Sequence, residues 1–334
     1  MKYSQILFFN SLIIGTLISV SSFSWFSMWM GLELNLLSFI PLMNLSKDKF
    51  SSEASLKYFI VQALSSMVIL FSILVSLVKN DFFLNLETPM NLMLSSAFLT
   101  KMGMAPFHFW FPEIMEGVTW EISFILLTWQ KVAPMMLLLY NFFLNTFFYF
   151  IIITGMIVSG IKNFNMTSLK KFLVFSSINH MSWMLSVLFL NQSIWMIYFL
   201  TYSFLNFSII SLFKTLNLAN FNQIFQVLNS KKWLKLNFFL TFFSLGGLPP
   251  FLGFFPKWLI ISVLLDTKMI FLTLIMVILT LLTLFVYIRL SIQSMILTST
   301  EKKMIKAFKL EKKIFISNFF NIFGLVLFTL VFNF

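Results

Sequence analysis

Apolar residues run in blocks of about twenty along the whole chain, separated by short polar connectors. A helix needs roughly 20 residues to cross about 30 Å of hydrocarbon. Eleven blocks approach that length, near 3–22, 25–45, 54–79, 89–111, 118–140, 145–162, 167–190, 192–216, 236–264, 268–296 and 314–334. The pattern predicts an all-α polytopic membrane protein with no separate soluble domain. Two blocks are interrupted. The fourth carries Lys101, Gly103 and Pro106 within six residues, and the ninth carries Gly246, Gly247, Pro249, Pro250, Gly253 and Pro256 followed at once by Lys257. Proline removes a backbone N–H and obstructs the carbonyl one turn back. The polar backbone this exposes is tolerated at membrane depth only where it is buried in protein or lines a watered cavity.

Composition agrees with the pattern. The 334 residues are 59% hydrophobic and 10% charged, too few polar groups to cover a soluble globule. The absence of cysteine excludes disulfides, iron–sulfur ligation and thiolate chemistry. With two histidines and no glycine-rich phosphate loop, a nucleotide, haem or metal site is not expected in this chain. No small-residue cleavage site follows the first apolar block, so no removable signal peptide is read. The 47 phenylalanines and 22 lysines against one arginine, Arg289, are the bias of A/T-rich codons and fit an organellar genome.

The net charge of +12 is placed by topology rather than by a polar face. With eleven spans the connectors fall into two sets; the one containing the N-terminus holds seventeen basic residues, the other only Lys79 and Lys268. By the positive-inside rule the N-terminus lies in the cytoplasm or matrix. Small residues Gly155, Ser159 and Gly160 suit close helix packing. Thr167 or Ser168 is placed to cap the seventh span.

Four lysines remain, Lys57, Lys101, Lys131 and Lys257, and with them the acidic Glu33 lies inside a span. Glu33 lies roughly 12 Å along the second, Lys101 about 18 Å along the fourth and Lys131 about 20 Å along the fifth, counted at 1.5 Å per residue. Lys257 follows the break in the ninth. A charge at the centre of a membrane helix costs about 2.5–3.5 kcal/mol, so three or four of them mark either an ion path or a structural pair. His180, in Ser176-Ser177-Ile178-Asn179-His180, shares a helix face with Ser176 and is either a hydrogen-bonded core residue or a relay. Lys57 is near enough to the end of its span to snorkel. Glu113, Glu116 and Glu121 read as a solvated loop cluster after the fourth span.

The two interruptions resemble one another. Ala105-Pro106-Phe107-His108-Phe109-Trp110-Phe111-Pro112 and Pro249-Pro250-Phe251-Leu252-Gly253-Phe254-Phe255-Pro256 agree at four of eight positions, and half of the chain's eight prolines form the matched pairs. The spans run in opposite directions, as an inverted-topology repeat predicts. The repeats would cover about 25–140 and 145–296, with a basic loop and last helix over 297–334. A coincidence of helix breakers is the alternative.

Trp29-Met30-Gly31-Leu32-Glu33-Leu34-Asn35, the Lys101 to Pro112 stretch, Thr128-Trp129-Gln130-Lys131-Val132-Ala133-Pro134 and Gly246 to Lys257 together resemble the antiporter-like membrane-arm subunits of mitochondrial NADH:ubiquinone oxidoreductase, complex I, in an insect-like form. The resemblance covers nearly the whole chain. It implies a single antiporter-like domain in the mitochondrial inner membrane and a shortened animal form, which eleven spans fit. It implies a proton relay in which Glu33 pairs with Lys101, Lys131 is central and Lys257 stands on the exit side, with His180 as a further candidate. It implies no cofactor in this chain; NADH, FMN, iron–sulfur clusters and ubiquinone belong to other subunits. The implied partners are neighbouring membrane-arm subunits, notably 4 and 4L, and phospholipids including cardiolipin. A Mrp-like cation/proton antiporter would share the broken helices and buried lysines, and a structural scaffold would use the same charges as inert pairs. Burial disfavours the charged form of an amine and a nearby carboxylate favours it, so a buried lysine beside a glutamate can take up and release a proton without redox chemistry.

Overall fold

The computed structural model describes residues 3–46, 48–77, 87–141, 145–228, 232–296, 319, 321 and 324. The eleventh apolar block, the basic run from Glu301 to Lys313, and Lys2, Lys47, Lys79 and Lys231 lie outside the described residues. Fourteen α-helices are present among the described residues, with no strand ladder; one isolated bridge joins Ser168 and Asn220. The chain divides into two compact units, Met1–Ile151 and Ile152–Phe334.

The first unit contains α1 (Tyr3–Ser21), α2 (Trp25–Met43), a 3₁₀ turn (Asn44–Ser46), α3 (Lys49–Leu77), α4 (Glu87–Met102), α5 (Trp110–Gly117), α6 (Trp120–Leu127) and α7 (Trp129–Tyr140). Helix α8 (Asn145–Asn163) crosses the division. The second unit continues with α9 (Leu169–Leu188), α10 (Gln192–Thr215), α11 (Phe221–Leu228), α12 (Lys232–Gly246), α13 (Phe254–Asp266) and α14 (Ile270–Ile296).

Seven helical stretches among the described residues are long and apolar enough to cross a membrane: α1, α2, α3, α6 with α7, α8, α10 and α14. They coincide with seven of the eleven blocks. The fourth and ninth blocks are each two short helices around a break, as their glycines and prolines predict. The seventh coincides with α9, whose Ser176, Ser177, Asn179, His180, Ser182 and Ser186 are all buried. Those polar side chains lower its hydropathy because it faces protein on every side.

Helix α3 shows how the chain meets its solvent. Its Gln62, Ser65, Ser66 and Ser72 are buried, while Leu56, Phe59, Ile60, Leu64, Met67 and Phe71 are exposed. Polar inside and apolar outside is the pattern of a helix that faces hydrocarbon. The inward serines satisfy their hydroxyls locally: Ser65 donates to the Gln62 carbonyl and Ser72 to the Ile69 carbonyl, at 2.8 and 2.7 Å. Helices α1 and α2 pack at backbone distance. A Cβ on Gly31 would lie 2.6 Å from the Ser19 nitrogen, so the small residue is required by contact.

In the second unit α9 is surrounded by α10, α13 and α14. Phe172 of α9 meets Phe221, Phe242 and Tyr287 at centroid distances of 5.3, 5.6 and 5.4 Å, an aromatic core that ties four helices together. The predicted packing role of the small residues in α8 is seen at Gly160, which lies against Leu282 of α14. Ser168 is the residue before α9, but its side chain makes no capping bond. Its backbone is instead held by neighbours: Leu169 N–H donates to Ala219 (3.0 Å) and Phe221 N–H to Thr167 (3.3 Å).

Candidate functional site

Both interrupted helices end in the same way. Gly103 has φ +71° and Gly247 φ +75°, a left-handed conformation that a side chain would strain. At the first break the Gly103 N–H donates to the Thr100 carbonyl (3.1 Å) and the Met104 N–H to the Leu99 carbonyl (3.0 Å). At the second, Gly247 donates to Ser244 and Leu248 to Phe243, both at 3.2 Å. This is a Schellman termination, which supplies donors to carbonyls that the ended helix leaves unpaired. The Ala105–Pro106 and Pro249–Pro250 peptides are both cis. The chain re-enters helix at Trp110 and at Phe254, and Phe111 N–H to His108 (3.0 Å) is matched by Phe255 N–H to Leu252 (3.3 Å). The register is the one the proline match predicts, and it extends beyond it. In that register Lys101 falls opposite Leu245, and Lys257 opposite Glu113. The backbone repeats; the charges do not.

In the first unit Lys101 occupies the last turn of α4 and is 7% exposed. Its carbonyl accepts from Gln62 Nε2 (3.3 Å) on α3, and the neighbouring Thr100 carbonyl accepts from Trp110 Nε1 (3.1 Å) across the break. Lys101 lines a cavity of about 20 Å³ with Asn35, Tyr58, Gln62 and Gln130. That is room for one water, which needs roughly 10–15 Å³ and two to four polar partners. Within that lining Gln130 Nε2 donates to Asn35 Oδ1 (3.0 Å), joining α7 to α2. Lys131 comes next in the chain, 1% exposed, with its Nζ 5.3 Å from the centroid of the Phe111 ring.

Glu33 interacts electrostatically with Lys101, but the two make no direct ion pair, and Glu33 Oε1 is buried without a hydrogen-bond partner. The pairing that the resemblance implies is thus not a direct ion pair in this structure. Sequence spacing gives the depth of each residue along its helix, not the rotation that sets their separation.

The fifth block is also less regular than its composition suggests. Thr128 interrupts it between α6 and α7, its hydroxyl donating to the Phe124 carbonyl (2.7 Å). Pro134 follows inside α7 and has no N–H for the Gln130 carbonyl. Lys131 thus sits on a locally loosened turn.

The acidic cluster lies on helices rather than in a loop, and its three side chains are exposed, as expected. Glu113 is in the first turn of α5 and Glu121 in the first turn of α6. Glu113 Oε2 is 2.9 Å from Lys57 Nζ, and Glu53 Oε1 is 3.0 Å from the same ammonium. Lys57, which the sequence leaves free to snorkel, is an exposed ion pair joining α3 to α5.

In the second unit Lys257 lies at the start of α13, 8% exposed, and its Nζ donates to the Gly246 carbonyl at the end of α12 (2.8 Å). Gly247 makes room for it: a Cβ there would be 2.9 Å from Nζ. His180 on α9 shares a 2.9 Å hydrogen bond between Nδ1 and the Tyr198 hydroxyl, and its ring also contacts Tyr202. Helix α9 packs on α13, so the His180 and Lys257 helices touch. Among the described residues no cluster of three metal-ligating side chains occurs.

Buried lysines beside two Schellman-broken helices in an all-helical membrane chain define an antiporter-like membrane protein. The chain belongs to the NADH:quinone oxidoreductase/Mrp antiporter membrane family, whose description matches residues 22–283. Among its relatives are the NADH-ubiquinone oxidoreductase chain 2 of Anopheles gambiae, 46% identical over 337 residues covering 99% of this chain and 98% of that one, and of Locusta migratoria, 41% identical over 308 residues covering 92% and 90%. The fold is similar to a chain of respiratory complex I from Thermus thermophilus, with a TM-score of 0.84 at 19% identity, over 97% of this chain and 78% of that one. The resemblance to insect complex I subunits is borne out at the level of family.

Proposed function

We propose that this chain is a proton-translocating membrane-arm subunit of mitochondrial complex I, the counterpart of chain 2 of its insect relatives. It lies in the inner membrane with its N-terminus on the matrix side and eleven spans. Its two broken helices belong to inverted repeats over about 25–140 and 145–296. Protons pass along Glu33, Lys101, Lys131 and Lys257, with His180 beside the path, driven by NADH:ubiquinone oxidoreduction in other subunits that hold NADH, FMN, iron–sulfur clusters and ubiquinone. Subunits 4 and 4L and phospholipids including cardiolipin are its neighbours.

The observation that carries this reading is the water-sized polar cavity lined by both Lys101 and Gln130, the neighbour of Lys131 in the chain. A buried amine at such a cavity can pass its proton to one water without opening the bilayer. Glu33 acts on Lys101 through space, so displacing α2 relative to α4 alters how firmly Lys101 keeps its proton. Two neighbouring lysines repel when both are charged, and a proton arriving at one drives release from the next. The second reading, a Mrp-like antiporter, draws on the same family description; such a chain would exchange cations without electron transfer elsewhere.

Lys131→Met tests the proposal because it keeps the apolar stem and removes the titrating amine. At matched assembly, reconstituted complex carrying this variant is expected to lose NADH:ubiquinone turnover and protons moved per electron pair. Lys131→Arg is also expected to impair both, because guanidinium keeps its proton. Normal values of both in Lys131→Met would make Lys131 a structural charge and restore the scaffold.

A further inference from the structure

The sole arginine of the chain, Arg289, lines a second cavity, of about 240 Å³, none of whose walls is a candidate relay residue. Its other walls include Asn163 at the end of α8, Thr167 in the following connector, and Asn220 and Phe221 at the start of α11. All belong to the second unit. Three features make this a built anion site. Asn163 is 2% exposed, and both its amide nitrogen and its oxygen are buried without a hydrogen-bond partner. A buried carboxamide left in that state awaits a partner. The first turn of α11 adds the end of a helix that favours negative charge. Finally, Arg289 has no nearby carboxylate among the described residues of its unit. Their one acidic residue, Asp266, precedes α14, and Arg289 lies roughly 28 Å along that helix at 1.5 Å per residue.

The surroundings select the kind of anion. Asn163 closes the candidate span Thr146–Asn163, and Arg289 stands near the end of the candidate span Ile270–Ile292, so the cavity opens at headgroup level. Along α14, Ile278, Leu281, Phe285 and Ile292 are exposed and recur on the face that carries Arg289. A soluble phosphate would have no use for that stripe; an acyl chain would lie along it. Basic pockets at the ends of membrane helices hold anionic headgroups, and guanidinium binds a phosphate through two parallel N–H bonds.

We infer that this cavity seats the phosphodiester headgroup of an anionic phospholipid, held by Arg289 and Asn163, with its chains along the α14 stripe. The inference gives the proposed phospholipid partnership a location and is independent of the proton relay.

The test uses delipidated complex, placed in nanodiscs of phosphatidylcholine alone or with phosphatidylglycerol, and follows amide hydrogen exchange in peptides covering 161–169 and 217–224. Phosphatidylglycerol is expected to protect both segments in the wild type. Arg289→Gln is expected to need about tenfold more of it, the consequence of losing one charge-assisted contact, and Arg289→Lys to fall between. Equal protection by phosphatidylcholine alone would overturn the anionic headgroup. Equal protection by inorganic phosphate in detergent would overturn the lipid and leave a free-anion site. If Arg289→Gln does not assemble, the wild-type comparison and Asn163→Leu, which keeps the charge and removes the second donor, decide the matter. Neither readout depends on proton stoichiometry, so failure here leaves the relay intact and failure of the relay leaves this site intact.

Discussion

Gln130 and Asn35 are uncharged, yet their bond joins the helix of Lys131 to that of Glu33. Asn35 is buried, and losing one partner of a buried hydrogen bond costs about 1–3 kcal/mol, whereas replacing both partners by apolar groups is close to neutral. Gln130→Leu is therefore expected to lower the thermal stability of the assembled complex more than the double variant Asn35→Leu with Gln130→Leu. Proton transfer should fall in both, since both remove polar walls from the Lys101 cavity. Melting curves and proton stoichiometries measured together check the pair; a double variant less stable than the single would show that the bond is not the cause. The buried charges were legible from sequence because each violates an apolar block. Asn35 and Gln130 were not, since a neutral amide inside a membrane helix is unremarkable until its partner is known.

Among elements, the two interrupted helices share a backbone and differ in chemistry. Alanine at Gly103 or Gly247 would force a Cβ into the left-handed region, which costs roughly 1–2 kcal/mol. At Gly103 the added methyl meets the Phe111 ring at 2.9 Å; at Gly247 it meets the Lys257 ammonium. Both variants are expected to reduce stability by a similar amount. Gly247→Ala should in addition displace Lys257 from the Gly246 carbonyl and lower protons moved per electron pair beyond what Gly103→Ala does. Equal pumping losses in the two variants, at equal assembly, would separate the Lys257 contact from the transport step. Proline and glycine dictate local chain geometry, which is why both breaks and their register could be read in advance. The interruption at Thr128 escaped because a threonine that turns its hydroxyl onto a carbonyl one turn back has no compositional mark.

For the whole molecule the lysine distribution makes a claim about sidedness that the absence of cysteine makes testable. In a cysteine-free chain a single introduced cysteine reports its own side. Lys214→Cys, in the last turn of α10, is expected to react with an impermeant maleimide from the matrix side, and Thr267→Cys, between α13 and α14, from the opposite side. Labelling of both from one side would refute the proposed topology.

The sequence alone determined that this is a polytopic helical membrane chain, where its apolar segments lie, which two break, and which charges are out of place. These are local quantities: hydrophobicity summed over twenty residues, and the dihedral limits of glycine and proline. Only the tertiary structure decided which polar groups meet. Gln130 reaches Asn35 across 95 positions of sequence and Lys57 reaches Glu113 across 56. Glu33 and Lys101, which the resemblance pairs, make no direct ion pair. Such meetings depend on how each helix is turned about its axis and slid along its neighbour, and that is fixed by the packing of all the helices at once.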